Sequence, residues 1–494
     1  MKTEFERVTP ESVGIPSEVL LKYLDSLSEL QTEMHGLMLM RHGKVCAEGW
    51  WAPYGRDVKH GSNSLAKTYT GTAIGLAVTE SLLSLDDRLV DIFPEYASLV
   101  TDEKMRLVRV RDMLSMSAGF AEEEFGPTDS IDRYMARPLA YEPGEKFFYH
   151  NGTASALGAI VQKKIGMSME EYLDQKLFRK IGIETENFEW LKEAGTGLDA
   201  AAGGILSTTE QNLRLMQLYA NGGMACGEQL LSKEFAKEAV QPHHIVTSHD
   251  TGYLEGADIS YNWMMWGSVA YNAYFGRGAL GQIAMVMPDY NLILSLHQNS
   301  TRKGDLDAVE QFWEIVVPHI QNAPIEGSGE AFHILKDRLS QLKLQDAAPS
   351  ERPAFERTIN GRSFICEEGF DLENETFNMM TKAPKGETVK GFRFMFDDNT
   401  AAMLCPTSAG EQRITVGLDG ASRYNVFKFG SGYAQETLVC GRWTGEQIFE
   451  VFIRWLGFSK CKVYRFEFGA FDLKVFGFLG NKRMDEPLYQ TKFQ

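Results

Sequence analysis

The sequence predicts an α+β fold: an antiparallel sheet flanked by helices, a helical lobe inserted into it, and a separate C-terminal antiparallel β-barrel or sandwich. Three observations predict it. Residues 36–51 alternate as strands do, residues 262–297 give three or four short strands, and the stretch between 108 and 241 carries helical periodicity instead. A sheet assembled from both ends of that segment is α+β rather than a βαβ alternation. Beyond residue 353 the helical period disappears, and residues alternate in steps of two to the end of the chain.

Taken in order, residues 36–51 fold back around His42-Gly43-Lys44 as a β-hairpin. Gly61, Ser62 and Asn63 are loop and N-cap residues in front of a helix starting at Ser64. Ala73, Ile74, Leu76, Ala77 and Val78 make that helix apolar enough to be buried on several sides. Further helices are expected at 109–117, 152–165, 168–179, 207–221 and 232–239, separated by glycine-rich or proline-containing turns. Residues 262–297 read as three or four short strands and 305–321 as an amphipathic helix. A stretch at 323–352, with a charged helix among Pro324, Gly327, Gly329 and Pro349, reads as a linker. In the last part Phe392, Phe394 and Phe396 alternate with Arg393 and Met395, and Tyr464, Phe466 and Phe468 with Arg465 and Glu467. The expected domains are therefore 1–322, which holds the catalytic residues proposed below, the linker 323–352, and a β-rich domain 353–494.

Composition narrows the function classes. The 494-residue chain carries a formal net charge of −17 without a basic cluster, which repels phosphate backbones and excludes nucleic acid as a partner. Met1 to Ser17 lacks the apolar core of a signal peptide, and no apolar run is long enough to span a bilayer. The expectation is a cytoplasmic protein without a membrane partner. The six cysteines are scattered without ligand spacing and read as reduced, mostly buried thiols. His243, His244, His249 and Asp250 share a polar loop without a spacing that converges them on a metal, and Glu122, Glu123 and Glu124 read as a solvated loop. No metal or cofactor is expected.

Ser64-Leu65-Ala66-Lys67 carries the chemistry. A hydroxyl is a weak nucleophile until a neighbour takes its proton, and a lysine one helical turn away can do so when it is neutral. The spacing alone is unselective, because Ser300 with Lys303, Ser340 with Lys343 and Ser459 with Lys462 also match. None of those opens an apolar helix. Tyr149-His150-Asn151 follows the turn Glu142-Pro143-Gly144 and precedes a helix, so Tyr149 and Asn151 point one way and His150 the other. A phenol can pass a proton and Asn151 can orient Lys67 or a substrate amide; packing and helix capping explain the same residues equally well, and Tyr219-x-Asn221 matches the spacing too. Gly276-Arg277-Gly278-Ala279 lies between strand-like runs. Its glycines would let a substrate backbone approach, and the amides of Ala279 and Ser64 would form an oxyanion hole. Arg277 is either a substrate contact or a solvated surface arginine, and Trp263, Trp266, Tyr271 and Tyr274 either wall the cleft or fill the core.

In this order the elements resemble the serine β-lactamase and penicillin-binding-protein superfamily, in particular its class C-like branch of esterases and D-aminopeptidases. The likeness runs over about residues 8–322 and includes Arg41-His42-Gly43-Lys44, Leu85-Asp86-Asp87, Arg111-Asp112-Met113-Leu114 and Gly203-Gly204-Ile205-Leu206-Ser207-Thr208. It implies the β-lactamase/transpeptidase-like fold and an acyl-serine intermediate with no metal. It further implies Ser64 as nucleophile, Lys67 and Tyr149 as proton carriers and Asn151 as a positioning residue; Gly276, Arg277, Gly278 and Trp263 are expected at the substrate from the reading of the residues themselves. Gly276-Arg277-Gly278 stands where β-lactamases carry Lys-Thr-Gly, which weighs against a β-lactam substrate. The expected partner is a small amide, ester or short peptide, and a homo-oligomer is compatible with the chain. A non-hydrolysing penicillin-recognising sensor and an acyltransferase are the competing readings. The β domain resembles lipocalin-like or small-barrel appendages in strand pattern only.

Overall fold

His42 and Gly43 both take positive φ, 51° and 75°, and this two-residue turn joins strand Glu33–Arg41 to strand Lys44–Trp50 with Arg41 opposite Lys44. The structure, a computed structural model, describes residues 4–30, 32–121, 130–193, 196–246, 258–300, 304–326, 329–344, 347–370, 388–407, 410–427, 435–458, 460–470, 472–479, 482–483 and 489–492. Glu122, Glu123, Glu124, His249, Asp250, Lys303 and Ser459 lie outside them. Two units divide the chain, Met1–Lys343 and Leu344–Gln494.

The first unit is built on one sheet. Its order is Lys44–Trp50, Glu33–Arg41, Leu292–Asn299, Gln282–Met287, Ala273–Gly278, Trp266–Ser268, Ile259–Tyr261 and His244–Ile245, every pair antiparallel. The strands do come from both ends of the segment, as the sequence pattern implies. Both faces are covered, so strand Glu33–Arg41 is buried almost without a break instead of alternately. Leu37, Leu39 and Leu294 meet Leu20, Leu24, Phe312, Leu335 and Leu339 of the helices Ser17–Glu29, Asp307–Ile315 and Gly329–Ser340 on one face. On the other face Met40 meets Gln217 of the helix Thr209–Ala220. The helix Gly329–Ser340, expected within the linker, is thus anchored in this unit by its buried Leu335 and by the ion pair of Arg338 with Asp25.

Inserted between the strands is the helical lobe. The helix Ala66–Thr79 is buried from Ala66 to Ala77, which its apolar composition on all sides requires, and it packs against the helix Asn151–Ile165. A small sheet pairs His60–Gly61 with Ile205–Ser207, and Ile205–Ser207 with Glu189–Trp190. Among the described residues no helix is long and apolar enough to cross a membrane.

In the second unit the described strands form one sheet that runs as an antiparallel meander from Ser363–Phe370 to Lys482–Arg483, with, among the described residues, a single parallel contact between Gly417 and Cys440. It forms a nearly closed barrel rather than two facing sheets. Phe392, Phe394, Tyr464, Phe466 and Phe468 are buried in its one core together with Phe364, Trp443 and Phe449, while Met395 is exposed and Arg465 pairs with Glu467 outside.

Candidate active site

Ser64 lies in a 3₁₀ turn, Asn63–Leu65, and the α-helix begins only at Ala66. In such a turn residues three apart eclipse one another, which sets the Lys67 Nζ 3.2 Å from Ser64 Oγ. Neither Ser62 nor Asn63 caps the helix with its side chain, contrary to expectation. Both are drawn elsewhere. Asn63, at φ 49°, donates from Nδ2 to the carbonyl oxygen of Ala279 at 2.7 Å, and Ser62 Oγ turns inward to Ser207 Oγ at 2.7 Å.

Lys67 is almost fully buried, and its Nζ donates to Asn151 Oδ1 at 2.7 Å and to the carbonyl oxygen of Ala202 at 2.6 Å. The same Nζ stands 4.8 Å from the centre of the Tyr149 ring. Ser64, Lys67, Tyr149 and Asn151, separated by up to 87 positions in sequence, are therefore brought together. Asn151 Oδ1 and the Ala202 carbonyl take two directions of the amine, and the third is towards Ser64 Oγ.

Tyr149 and Asn151 reach Lys67 because the helix Asn151–Ile165 starts between them. His150 is its N-cap: Nδ1 accepts from the Thr153 amide at 3.0 Å, and the ring stacks on Phe120 at 4.4 Å, away from Lys67. Burial pushes this imidazole down to about 4. The matching pair Tyr219 and Asn221 sits elsewhere, with the Tyr219 hydroxyl buried against Thr72 Oγ1 at 2.9 Å. Ser340 gives its hydroxyl to Asp337 on an exposed helix.

The strand Ala273–Gly278 flanks the Ser64 turn. A Cβ on Gly278 would stand 2.0 Å from the Ser62 carbonyl oxygen, and one on Gly276 2.9 Å from Thr68 Oγ1. These glycines admit the Ser64 turn and its helix against the strand. Strand Trp266–Ser268 pairs with the strand Ala273–Gly278 over Ala273–Phe275, so Gly276, Arg277 and Gly278 run past the end of that neighbour. Ala279 follows in the turn, its carbonyl held by Asn63 and its side exposed.

Arg277 is not a solvated surface residue. Its side chain is buried, pairs with Asp305 at 3.2 Å and lies over the Trp266 ring at 5.5 Å. Trp266 in turn stacks on Tyr149 at 5.4 Å. Trp263, the tryptophan expected at the substrate, packs instead on Phe235 at 5.3 Å and stacks with His243 at 5.2 Å. Tyr271 stacks on Trp313, and Tyr274 is buried in the core. Burial lowers the Arg277 guanidinium from its ordinary value and raises the Asp305 carboxyl, although each pulls the other back. Asp305 also accepts from Ser300 Oγ at 2.8 Å and so braces the turn after Ala279. Ala202, Asn63 and Asp305 carry no sequence signal beyond their neighbourhoods. The backbone carbonyl of Ala202 lies just before Gly203-Gly204, a run that marks a chain reversal without naming its target.

A sequence profile of the family described as Beta-lactamase matches residues 29–314. The chain is 22% identical over 281 residues to the 6-aminohexanoate-dimer hydrolase of Paenarthrobacter ureafaciens, covering 52% of this chain and 71% of that protein. It is 25% identical over 129 residues to the putative D-alanyl-D-alanine carboxypeptidase of Escherichia coli (strain K12), covering 23% of this chain and 30% of that protein. Among solved structures, the octameric penicillin-binding protein homologue from Pyrococcus abyssi aligns with a TM-score of 0.49 at 15% identity, over 93% of this chain and 97% of the other.

Proposed function

Because this chain belongs to the beta-lactamase family, we propose that it is a serine hydrolase cleaving a small amide, ester or short peptide through an acyl group on Ser64. The single observation that carries the reading is the environment of Lys67, whose Nζ faces Ser64 Oγ, Asn151 Oδ1 and the Ala202 carbonyl at once. Ser64 Oγ attacks the substrate carbonyl carbon as its proton passes to the Lys67 and Tyr149 pair. The carbonyl electrons move onto oxygen, which the amides of Ser64 and Ala279 hold; each such donor is typically worth ~3 kcal/mol. Collapse breaks the bond to the leaving group, which takes up the proton. Water then attacks the acyl carbon as its proton passes to the pair, and that proton goes on to Ser64 Oγ as the acyl–oxygen bond breaks, which releases the acid and restores Ser64 and the pair. The base is assigned to the pair, because Lys67 Nζ stands 3.2 Å from Ser64 Oγ and 4.8 Å from the centre of the Tyr149 ring.

The acyl part of the substrate lies along Gly276, Arg277 and Gly278 in this reading, beside Tyr149 and Trp266. Arg277 is matched by Asp305, which supports an uncharged group at that position rather than the carboxylate of a β-lactam. The family relation to a 6-aminohexanoate-dimer hydrolase and a putative D-alanyl-D-alanine carboxypeptidase supports amide substrates.

The test is a screen of p-nitrophenyl esters, D-amino-acid amides and nitrocefin, with Ser64→Ala beside the parent. Turnover and labelling by a fluorophosphonate probe are both expected to vanish in Ser64→Ala. Undiminished labelling of that variant would refute the assignment.

A further inference from the structure

Beneath the Ser64 turn lies a buried polar cluster that the proposed reaction does not touch. Ser62, fully buried, donates its amide to the Ile205 carbonyl at 3.0 Å and accepts from the Leu65 amide at 3.1 Å. Its Oγ is 2.7 Å from Ser207 Oγ, 3.2 Å from Asn212 Nδ2 and 3.4 Å from His297 Nε2. Asn212 Nδ2 is 3.0 Å from His297 Nε2, and Asn212 Oδ1 accepts from Ser207 Oγ at 2.9 Å and from the Tyr69 hydroxyl at 3.0 Å. His297 Nδ1 lies 3.2 Å from Thr209 Oγ1.

With Asn212 Oδ1 accepting from Ser207 and Tyr69, a consistent arrangement of hydrogens satisfies these contacts. The Asn212 NH₂ then faces Ser62 Oγ and His297 Nε2. His297 Nε2 must then accept, and the neutral ring carries its hydrogen on Nδ1, towards Thr209. Ser207 has given its hydrogen to Asn212, so Ser62 donates to Ser207 Oγ. A second proton on His297 would set two donors against each other. Burial keeps that ring neutral, pushing it down to about 3, and the His60 ring stacks on it at 4.3 Å.

The cluster bears on the reaction through the chain. Ser62 precedes Asn63, whose left-handed φ of 49° persists only where the surroundings hold it, and Asn63 precedes Ser64. We propose that His297 is a positioning residue for Ser64: through Asn212 it locks the Ser62 rotamer, and so holds the turn that presents Ser64 Oγ to Lys67. The inference rests on Ser64 being the nucleophile. His297 touches no reacting atom, so its contribution is to the fraction of molecules in which Ser64 is aligned, and it should act on kcat and not on KM.

The experiment compares His297→Leu, which cannot accept, with His297→Gln, whose side-chain oxygen reaches the place of Nε2. With a p-nitrophenyl ester, His297→Leu is expected to lose about tenfold or more in kcat with KM within about twofold, and His297→Gln to recover to within about threefold of the parent. Ser62→Ala, which removes one hydroxyl and nothing else, is expected to show the same loss and decides the matter if His297→Leu does not fold. Parental kcat in folded His297→Leu, or in Ser62→Ala, overturns the inference. Ser64→Ala is run alongside: turnover surviving in it refutes the nucleophile instead, which separates the two failures.

Discussion

The Arg277 guanidinium stands 3.2 Å from the Asp305 carboxylate, and both side chains are shut off from solvent. Burial works against the charge on each: the arginine is lowered and the aspartate raised from their ordinary values. The pair is thus held at a desolvation cost that the attraction between its members, the bonds from Ser300 and the Leu280 amide, and the Trp266 ring under Arg277 help to offset.

Removing one partner of such a pair leaves an uncompensated buried charge. Asp305→Leu is therefore expected to lower the unfolding free energy by about 3–5 kcal/mol, read by urea denaturation with tryptophan fluorescence. Arg277→Met with Asp305→Leu is expected to be more stable than Asp305→Leu alone, because no charge is left behind. Strictly additive losses in the double variant would show that the two side chains are not coupled.

Gly278 bears on activity more than on stability. A Cβ there would meet the Ser62 carbonyl at 2.0 Å, a backbone atom that yields only if the strand and the Ser64 turn separate. At Gly276 the nearest atom is the Thr68 hydroxyl at 2.9 Å, a side chain that can turn. Gly278→Ala is expected to lower kcat on a p-nitrophenyl ester about tenfold further than Gly276→Ala, with slower fluorophosphonate labelling. Equal rates for the two variants would remove the close approach of strand and turn from the argument.

These contacts also mark how far the sequence can be read. The strands at 262–297 are legible because the helical period of the segment before them stops there, and Ser64, Lys67, Tyr149 and Asn151 because their chemistry is carried by side chains. The Ala202 carbonyl is not legible: every residue has one, and only the fold of the chain before Ile205 aims it at Lys67. That Trp266 rather than Trp263 stacks on Tyr149 has a similar cause. The two are three residues apart and alike in composition, and only the register that sets Trp266 opposite Phe275 brings it to Tyr149. His297 reaches Ser62 through the pairing of Gly36 with His297 and the small sheet at His60, long-range registers that no local pattern encodes. The caps fail for a competing reason: Ser62 bonds the buried Ser207 hydroxyl and Asn63 the Ala279 carbonyl instead of the helix end.

His150 makes the first unit sensitive to acid in a way that can be isolated. In the unfolded chain a histidine titrates near ~6.5, whereas in the fold burial against Phe120 pushes His150 down to about 4. At neutral pH both states hold the neutral ring. As pH falls below the unfolded value, the unfolded chain takes up a proton that the folded protein refuses, so stability is lost until the folded ring also titrates near pH 4. The full loss from this residue is about 3 kcal/mol, approached at ~1.4 kcal/mol per pH unit. His150→Asn keeps an N-cap acceptor for the Thr153 amide but cannot titrate. Its unfolding free energy is expected to fall about 1.4 kcal/mol per pH unit less steeply than the parent's between about pH 6 and about pH 4.5. His297 and His60, whose folded values are lowered in the same direction, contribute to both proteins alike and cancel in the difference. Parallel pH profiles for parent and variant would mean that His150 is protonated in the folded protein, and with it that the Thr153 amide is capped by something other than a neutral imidazole.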